Sequence, residues 1–450
     1  MFLDVCFSNS SVEASPDLIN YFLRDYQKVV MQVIRIVSVH MNAKNVFSSY
    51  SNMPKEAKYL VYASIMPSVA YGLVFTDISY FLTAVQGLTA EFAGIVISVM
   101  GISTFLASMF LGASADIYGR KKMLILGSLL ASLTVAFLAL TTNPTLLLIA
   151  GVLEGISEAA IIASSNALLA DKVSNDKRTT LFSLNGFVQG IAFGVGSFAV
   201  SFVGVFELMG FTNQASHILL YVSIAIISLL SSLILLRVSE AKTLKKPKVS
   251  LARLLPRRSK GILIKFVLTS AILAFGAGLV VPLMTLWFDL RYQISDTISA
   301  PILAVSSILI GFATLAAPRV ARKFGLVKAI VITQATSMVF MFFLPFSPNY
   351  ILAGVVYSIR ALLMNMASPL SQSMIMGLTA EDERGAVSGI SGALWRLPNA
   401  ASTFIGAWLM AAGLLAEPFL FACLLYIVSI VLFWIYFRKV KMPEEESHFD

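Results

Sequence analysis

The sequence predicts an all-α integral membrane protein, with twelve transmembrane helices arranged as two pseudo-symmetric six-helix bundles. Three observations lead to this prediction: the overall composition, the recurrence of long apolar runs, and a repeat that relates the two halves. Of the 450 residues, 58% are hydrophobic and 13% are charged, whereas soluble domains contain about 45–50% apolar and about 25% charged residues. So large an apolar surplus over so long a chain indicates a surface that faces lipid.

Apolar runs of about twenty residues, the length needed to cross about 30 Å of hydrocarbon, recur along the chain. The runs are continuously apolar, whereas membrane strands alternate over about ten residues, so helices are predicted. The first six predicted spans are Tyr59–Thr83, Phe92–Ser114, Met123–Thr141, Thr145–Ala170, Leu181–Val205 and His217–Arg237. The second six are Ile262–Trp287, Ile298–Pro318, Val327–Pro345, Ile351–Gly377, Ala386–Ala411 and Glu417–Phe437.

Basic residues fix the predicted orientation. If the amino terminus is inside the cell, the inner connections carry nearly all the loop lysines and arginines, and the outer connections carry one, Arg291. Because lysine and arginine favour the cytoplasmic side, both termini are predicted to be cytoplasmic, in the cell membrane. Topology thus explains the net charge of +9, and no nucleic-acid partner is predicted.

The predicted spans divide the chain into five parts. Residues 1–57 form a cytoplasmic extension, which either has no function or contains an interfacial helix. Residues 58–238 form the first bundle, and residues 239–261 form a basic cytoplasmic linker. Residues 262–437 form the second bundle, and residues 438–450 form a cytoplasmic tail.

The two halves share a register. Gly119, after the second span, corresponds to Gly325 after the eighth (325 − 119 = 206), and Arg178 corresponds to Arg384 (384 − 178 = 206). Two separate anchors with one offset indicate a duplication, which is common in secondary transporters.

The most specific motif is the loop after the second span, which places a carboxylate at a helix end beside three cations. Its residues are Gly112, Asp116, Gly119, Arg120, Lys121 and Lys122. The segment resembles the GxxxDxxGRRK loop of the major facilitator superfamily, and the resemblance extends from about Lys58 to Lys441.

The resemblance implies alternating access by two rocking halves, with a cavity lined by the first, fourth, seventh and tenth helices. It also implies that Asp116 and Arg120 form a cytoplasmic gate latch. The second copy of the loop keeps Gly325 but has Arg322 at the aspartate position and Leu326 at the arginine position.

Ionisable groups within the spans are candidates for transport, because each costs several kcal/mol at the bilayer centre. Glu154 and Glu158 lie at mid-depth in the fourth span, and their four-residue spacing puts them on one helix face. We interpret them as a proton-coupling pair; the alternative is a structural pair bonded to neighbouring helices. Arg360 is the equivalent of Glu154 (360 − 154 = 206), and the resemblance implies that they face one another across the cavity.

Two further charged groups lie in the spans. Arg396 is interpreted either as a substrate ligand or as a structural partner of a carboxylate or of backbone carbonyls. Asp77, in the outer third of the first span, is interpreted either as a gate or proton site or as a solvated helix end.

The fifth span carries Gly186, Gly190 and Gly194 at intervals of four, a stripe that favours close helix packing in lipid. It also resembles, incompletely, the glycine-rich fifth helix of drug–proton antiporters. No GxxxxGK[ST] motif supports direct driving by ATP. The three histidines, His40, His217 and His448, are predicted in loops or tails, so no metal or cofactor is predicted.

The sequence therefore predicts a monomeric, bilayer-embedded secondary transporter of a small organic solute, coupled to protons, and not an enzyme. Export of amphipathic compounds is the first hypothesis, because the cavity helices combine carboxylates with Phe75, Tyr80, Phe275 and Trp287. Uptake of an anionic metabolite, through Arg360 and Arg396, is the second. A non-transporting receptor is a remote alternative.

Overall fold

The computed structural model describes residues 54–172, 175–238, 258–379 and 384–439. Twelve long helices run through them. The first six are α1 (Lys55–Tyr80), α2 (Ala90–Tyr118), α3 (Arg120–Leu140), α4 (Pro144–Asp171), α5 (Asn175–Ala199) and α6 (Asn213–Ser231). The second six are α7 (Lys260–Gly278), α8 (Asp296–Phe324), α9 (Leu326–Phe343), α10 (Tyr350–Gly377), α11 (Arg384–Ala411) and α12 (Glu417–Phe437). The predicted extension before residue 54, most of the linker and the tail after residue 439 lie outside the described residues.

Length and composition allow eleven of these helices to cross a membrane. The remaining long helix is α11, whose 28 residues include Arg396 and Asn399 as well as apolar positions. No strand occurs in the described part of the chain. The all-helical membrane fold predicted from the apolar runs is confirmed.

Several spans are interrupted near one end, which the apolar runs did not reveal. The seventh span consists of α7, a 3₁₀ turn at Val281–Leu283 and a short helix, Met284–Tyr292. Pro282 lacks an amide proton and its ring clashes with the carbonyl four residues earlier, so the helix stops at Gly278. The fifth span likewise ends at Ala199 and is followed by a separate short helix, Phe202–Leu208.

The two halves repeat one pattern of helix contacts. In the first half α4 packs on α2 and α3, α5 packs on α1, and α6 packs on α3. In the second half α10 packs on α8 and α9, α11 packs on α7, and α12 packs on α9. The two most extensive contacts between long helices of opposite halves, α2 with α11 and α5 with α8, also exchange under this symmetry.

The 206-residue offset reappears in the backbone. Gly119 and Gly325 are each the single residue between two long helices, with φ of 104° and 79°. Glycine is favoured there because other residues rarely adopt such angles. Asn143 and Asn349 cap α4 and α10 by accepting hydrogen bonds from backbone amides. The halves are therefore structural copies.

Close contacts between the halves occur toward one end of the molecule. We call this end the Tyr80 end, because α1 ends there. The opposite end, where α2 and α3 meet, is called the Gly119 end. Ser79 and Thr285 hydroxyls lie 2.8 Å apart, and Thr285 donates to the backbone oxygen of Thr76. Ser98 on α2 donates to the oxygen of Ala400 on α11 at 2.7 Å. The halves therefore meet tightly at the Tyr80 end.

Candidate functional site

A cavity of about 460 Å³ lies on the Gly119 side of these contacts. Residues from α1, α3, α4, α5, α6, α8 and α11 line it, and most are apolar. The implied contribution of the first and fourth helices is thus observed. The seventh span and α10 contribute instead to a small second pocket, through Val281 and Tyr357, on the Tyr80 side.

An ion pair crosses the cavity. Arg396 Nη1 on α11 lies 2.8 Å from Glu158 Oε2 on α4, and Thr104 of α2 donates to the same oxygen at 3.0 Å. The arginine side chain is 30% exposed and the glutamate side chain 18%, so both can be reached from the cavity. Tyr71 on α1 interacts with both charged groups. Of the sequence-based alternatives for Arg396, the structure shows the carboxylate partner.

Glu154 lies one turn from Glu158 and also lines the cavity. It is 7% exposed and accepts hydrogen bonds from the hydroxyls of Thr134 and Ser157. The two glutamates therefore share a helix face, as predicted, but their surroundings differ. Glu158 is paired with a cation of the other half, whereas Glu154 is held by hydroxyl groups of its own half.

Aromatic rings close the cavity toward the Tyr80 end. Tyr71 and Phe75 of α1 and Phe193 of α5 form a triangle with ring centroids 5.7–5.9 Å apart. Phe193 lines both the cavity and the small second pocket. Trp287, expected near the cavity, is instead fully buried in the second half and donates to the oxygen of Leu415.

The predicted placement of Arg360 opposite Glu154 across the cavity is wrong. Arg360 is 2% exposed, outside the cavity, and donates to the Tyr426 hydroxyl on α12 at 2.6 Å. Among the described carboxylates, none lies within ion-pair distance of it. The offset made Arg360 the structural equivalent of Glu154, but equivalent positions in two bundles need not face each other.

The alternative that Asp77 is a solvated helix end is also wrong, because Asp77 is fully buried at the Tyr80 end. Its Oδ2 accepts a hydrogen bond from Tyr221 of α6 at 3.0 Å and lies 3.9 Å from His217 Nε2. The same His217 nitrogen lies 2.9 Å from Oδ2 of Asp296, in the first turn of α8. The structure thus joins Asp77 to residues of α6 and α8.

Sequence reasoning missed the other members of this group. His217 is the first residue of the predicted sixth span and is counted with the loops, but α6 begins four residues earlier, at Asn213, and His217 is fully buried. The loop assignment used as an argument against a metal site is therefore wrong. Asp296 lies two residues before the predicted eighth span, and α8 begins with it. A carboxylate and a histidine at the starts of two apolar runs were the available signals.

The gate motif is only partly described. Lys121 Nζ donates to the oxygen of Leu236, at the end of the sixth span, at 2.9 Å. Gly119 forms the turn between α2 and α3. The side chains of Asp116 and Arg322 and the contacts of Gly112 lie outside the described part of the structure. The gate latch of Asp116 with Arg120 therefore stays a prediction.

The glycines of α5 differ in their surroundings. A Cβ atom added at Gly194 would lie 2.7 Å from Ile308 of α8, and one at Gly190 would lie 3.5 Å from Gly311. At Gly186 no described atom lies within 4 Å, so its packing role stays a prediction. The tightest contact in this helix is at Gly196, outside the predicted stripe.

Known proteins share this architecture. The chain is 22% identical over 356 residues to Multidrug resistance protein 2 of Bacillus subtilis, covering 79% of this chain and 88% of the relative. A crystal structure of a variant of the nucleoside transporter NupG superposes with a TM-score of 0.72 at 14% identity, covering 85% of this chain and all of that one. A bacterial homologue of the human lysosomal transporter Spinster, in an inward-facing and occupied conformation, superposes with a TM-score of 0.69 at 13% identity, covering 85% and 96%.

A family model described as Major Facilitator Superfamily matches residues 60–403 and again residues 266–449. The matched residues include nearly all of the described helices, and the second match begins within α7, where the second half starts. The protein is therefore a member of the major facilitator superfamily, a multi-pass membrane transporter and not an enzyme.

Proposed function

We propose that this transporter exports amphipathic organic solutes in exchange for protons, by alternating access of its two halves to a central cavity. The observation that carries the proposal is the Glu158–Arg396 ion pair, which joins α4 of one half to α11 of the other inside the cavity. A charge pair between two moving bodies can be made in one arrangement and broken in another. Whatever competes for either partner changes the balance between the two arrangements.

The orientation follows from the basic loops. The Gly119 end, with Arg120, Lys121 and Lys122, is the cytoplasmic end under the positive-inside rule. The cavity lies on that side and the tight contacts of the halves lie on the other. The structure then corresponds to an inward-facing state, which would load solute from the cytoplasm.

The cavity wall supports an amphipathic solute. Its lining is mostly apolar and includes Tyr71 and Phe193, whose rings can stack on an aromatic solute. Glu154 and Glu158 add two carboxylates on one wall, which favour a positive group. The name of the Bacillus relative, a multidrug resistance protein, agrees with such a solute.

Coupling follows from competition at Glu158. A proton on Glu158 removes its charge and weakens its attachment to Arg396, whereas a cationic solute needs the charged carboxylate. A proton and a cationic solute therefore cannot bind the Glu158 carboxylate at the same time, and this competition is the basis of exchange. Glu154, held by Thr134 and Ser157, is a second place for the proton on the same helix face.

Uptake of an anionic solute is the second candidate, and the exposure of Arg396 favours it. The arginine side chain is 30% exposed in the cavity, so an anion could replace Glu158 as its partner. In that case Arg396 binds the solute, and Glu158 holds the arginine when the cavity is empty.

Transport in proteoliposomes tests both candidates. Purified protein is reconstituted, a pH gradient is imposed, and the flux of a fluorescent lipophilic cation or of an organic anion is followed. Glu158→Gln and Glu154→Gln are compared with Glu91→Gln, which removes a carboxylate in the first turn of α2, outside the cavity. We expect loss of gradient-driven cation flux in Glu158→Gln, a smaller loss in Glu154→Gln, and wild-type flux in Glu91→Gln.

Two results would contradict the proposal in different ways. Unchanged gradient-driven flux in the single and double cavity variants would remove the glutamates from coupling. Flux of the anion but not the cation, abolished by Arg396→Gln, would replace export of amphipathic cations with the second candidate.

A further inference from the structure

A second group of charged residues lies at the Tyr80 end, away from the cavity. It consists of Asp77 of α1, His217 of α6 and Asp296 of α8, and we call it the Asp77 cluster. All three residues are 0% exposed, and none of them lines the cavity or the small second pocket. Ion coupling through Glu158 makes no use of them.

The cluster brings three ligand atoms of suitable type together. One oxygen from each aspartate and one ring nitrogen of His217 lie within 4.8 Å of one another. His217 Nε2 is 2.9 Å from Asp296 Oδ2 and 3.9 Å from Asp77 Oδ2. Zinc bonds of about 2.0–2.2 Å place tetrahedral ligands about 3.3–3.6 Å apart, a separation that falls between the two observed nitrogen–oxygen distances. Shifts of about half an ångström would bring both nitrogen–oxygen distances to this separation.

The hydrogen bonds of the cluster already orient these ligands. His217 Nδ1 donates to the backbone oxygen of Asn213 at 2.9 Å, which leaves Nε2 directed at the two carboxylates. Tyr221 donates to Asp77 Oδ2 at 3.0 Å. Metal-ligating histidines and carboxylates are commonly held by such outer hydrogen bonds, which fix the ring orientation.

One oxygen of each aspartate lacks a hydrogen-bond partner in the described part of the chain, although His217 and Tyr221 contact the other oxygens. Oδ1 of Asp77 and Oδ1 of Asp296 are buried, and neither has a hydrogen-bond partner among the described residues. Phe81, fully buried, stacks on both His217 and Tyr221 and keeps the surroundings apolar. Buried acceptors without partners are costly. A divalent cation would take the place of the proton between His217 Nε2 and Asp296 Oδ2, which is released to solvent, and its charge would match the two carboxylates.

We propose that Asp77, His217 and Asp296 bind a divalent transition-metal ion of the zinc type. An imidazole with two carboxylates suits Zn²⁺ or Mn²⁺ better than Mg²⁺ or Ca²⁺, which take oxygen ligands. One of the two unpartnered Oδ1 atoms supplies the fourth ligand when its carboxylate binds through both oxygens. The ion satisfies atoms that the protein alone leaves without partners.

Metal binding here would link the two halves. Asp77 and His217 belong to the first half, whereas Asp296 begins α8 in the second. A bound ion therefore holds the Tyr80 end closed and slows a cycle that opens it. This consequence depends on the proposed alternating-access function, but binding of the ion does not.

The test uses the purified full-length protein without an affinity tag, stripped with a chelator and returned to metal-free buffer. We expect Zn²⁺ to raise the melting temperature in a concentration-dependent way, because a ligand of the folded state stabilises it. Equilibrium dialysis should give one ion per chain. In His217→Gln and Asp296→Asn the affinity should fall at least about 10-fold, the loss seen for weaker perturbations of metal sites. Asp289→Asn is the matched control, since Asp289 lies at the same end but outside the cluster.

Co²⁺ provides a spectroscopic check that does not depend on the variants folding. The wild-type protein should give the visible absorption of four-coordinate Co²⁺, and Zn²⁺ should abolish it. The inference is overturned if the protein binds neither ion, or if His217→Gln and Asp296→Asn bind Zn²⁺ as tightly as the wild type and Asp289→Asn. Mg²⁺ producing the same stabilisation as Zn²⁺ would also contradict it.

Discussion

Replacement of Gly196 by alanine should separate α1 from α5. A Cβ atom at Gly196 would lie 1.9 Å from the backbone oxygen of Val69. Since Cβ contacts below 3.0 Å are essentially never observed, the helices must move apart by at least 1.1 Å (3.0 − 1.9). Overpacking costs about 1–3 kcal/mol, and alanine returns about 1 kcal/mol through helix propensity. Because a backbone oxygen cannot swing aside, we take the upper figure and expect a net loss of about 2 kcal/mol.

The same contact offers an internal comparison. Gly72, on the facing side of α1, would place a Cβ atom 2.1 Å from the backbone oxygen of Phe193. One separation of the helices relieves both clashes, so Gly72→Ala combined with Gly196→Ala should cost less than the sum of the single variants. Gly186→Ala is the control in α5, since no described atom lies within 4 Å of the added carbon. It should be neutral or stabilise by up to about 1 kcal/mol.

Thermal unfolding of the four purified variants in one detergent measures these effects. The melting temperature should fall for Gly196→Ala and Gly72→Ala and stay level or rise for Gly186→Ala. The reasoning fails if Gly196→Ala melts at or above Gly186→Ala, or if the losses of the two tight positions add.

Three other predictions concern the ion pair, the contact of α5 with α8, and the membrane topology. Glu158→Gln and Arg396→Gln should each lower stability by about 1–3 kcal/mol, between the values for exposed and buried pairs; unfolding of the double variant should show a smaller loss than their sum. Gly194→Leu should clash with the isoleucine side chain of α8 that lies 2.7 Å from an added Cβ atom. This clash should favour opening of the Tyr80 end. Reduced cross-linking between α5 and α8 is expected, and unchanged cross-linking would contradict the prediction. Leu208 and Tyr118 are exposed at opposite ends of the molecule. In a background without native cysteines, an impermeant maleimide added to intact cells should label Leu208→Cys but not Tyr118→Cys. The reverse pattern would contradict the predicted orientation in the membrane.

The helices could be predicted because lipid imposes a simple rule on the chain. A span must satisfy its backbone internally and present apolar side chains, so the runs alone located all twelve. Glu417–Phe437 agrees at both ends with the observed α12. Interruptions escaped prediction because they depend on single residues: Pro282 ends α7 within a run that remains apolar throughout.

The candidate site was harder to predict, because a sequence offset identifies equivalent residues and says nothing of contact. Under a two-fold relation, equivalents meet only near the axis. Ser79 and Thr285 (285 − 79 = 206) are hydrogen-bonded to each other, whereas Glu154 lies in the cavity wall and Arg360 is buried within the second half. Glu158 has no charged equivalent in the second half, and it pairs with Arg396 of that half. Predicting this pair requires the rotation of each helix about its own axis, which the sequence offset does not give.

The break in the seventh span gives the closed end a mechanical weak point. Between Gly278 and Met284 the ladder of helical hydrogen bonds is discontinuous, so bending there costs far less than bending an intact helix. The short helix Met284–Tyr292 contains Thr285, which is hydrogen-bonded to α1. This short helix can move away from the first half while Lys260–Gly278 stays packed against α11 and α12.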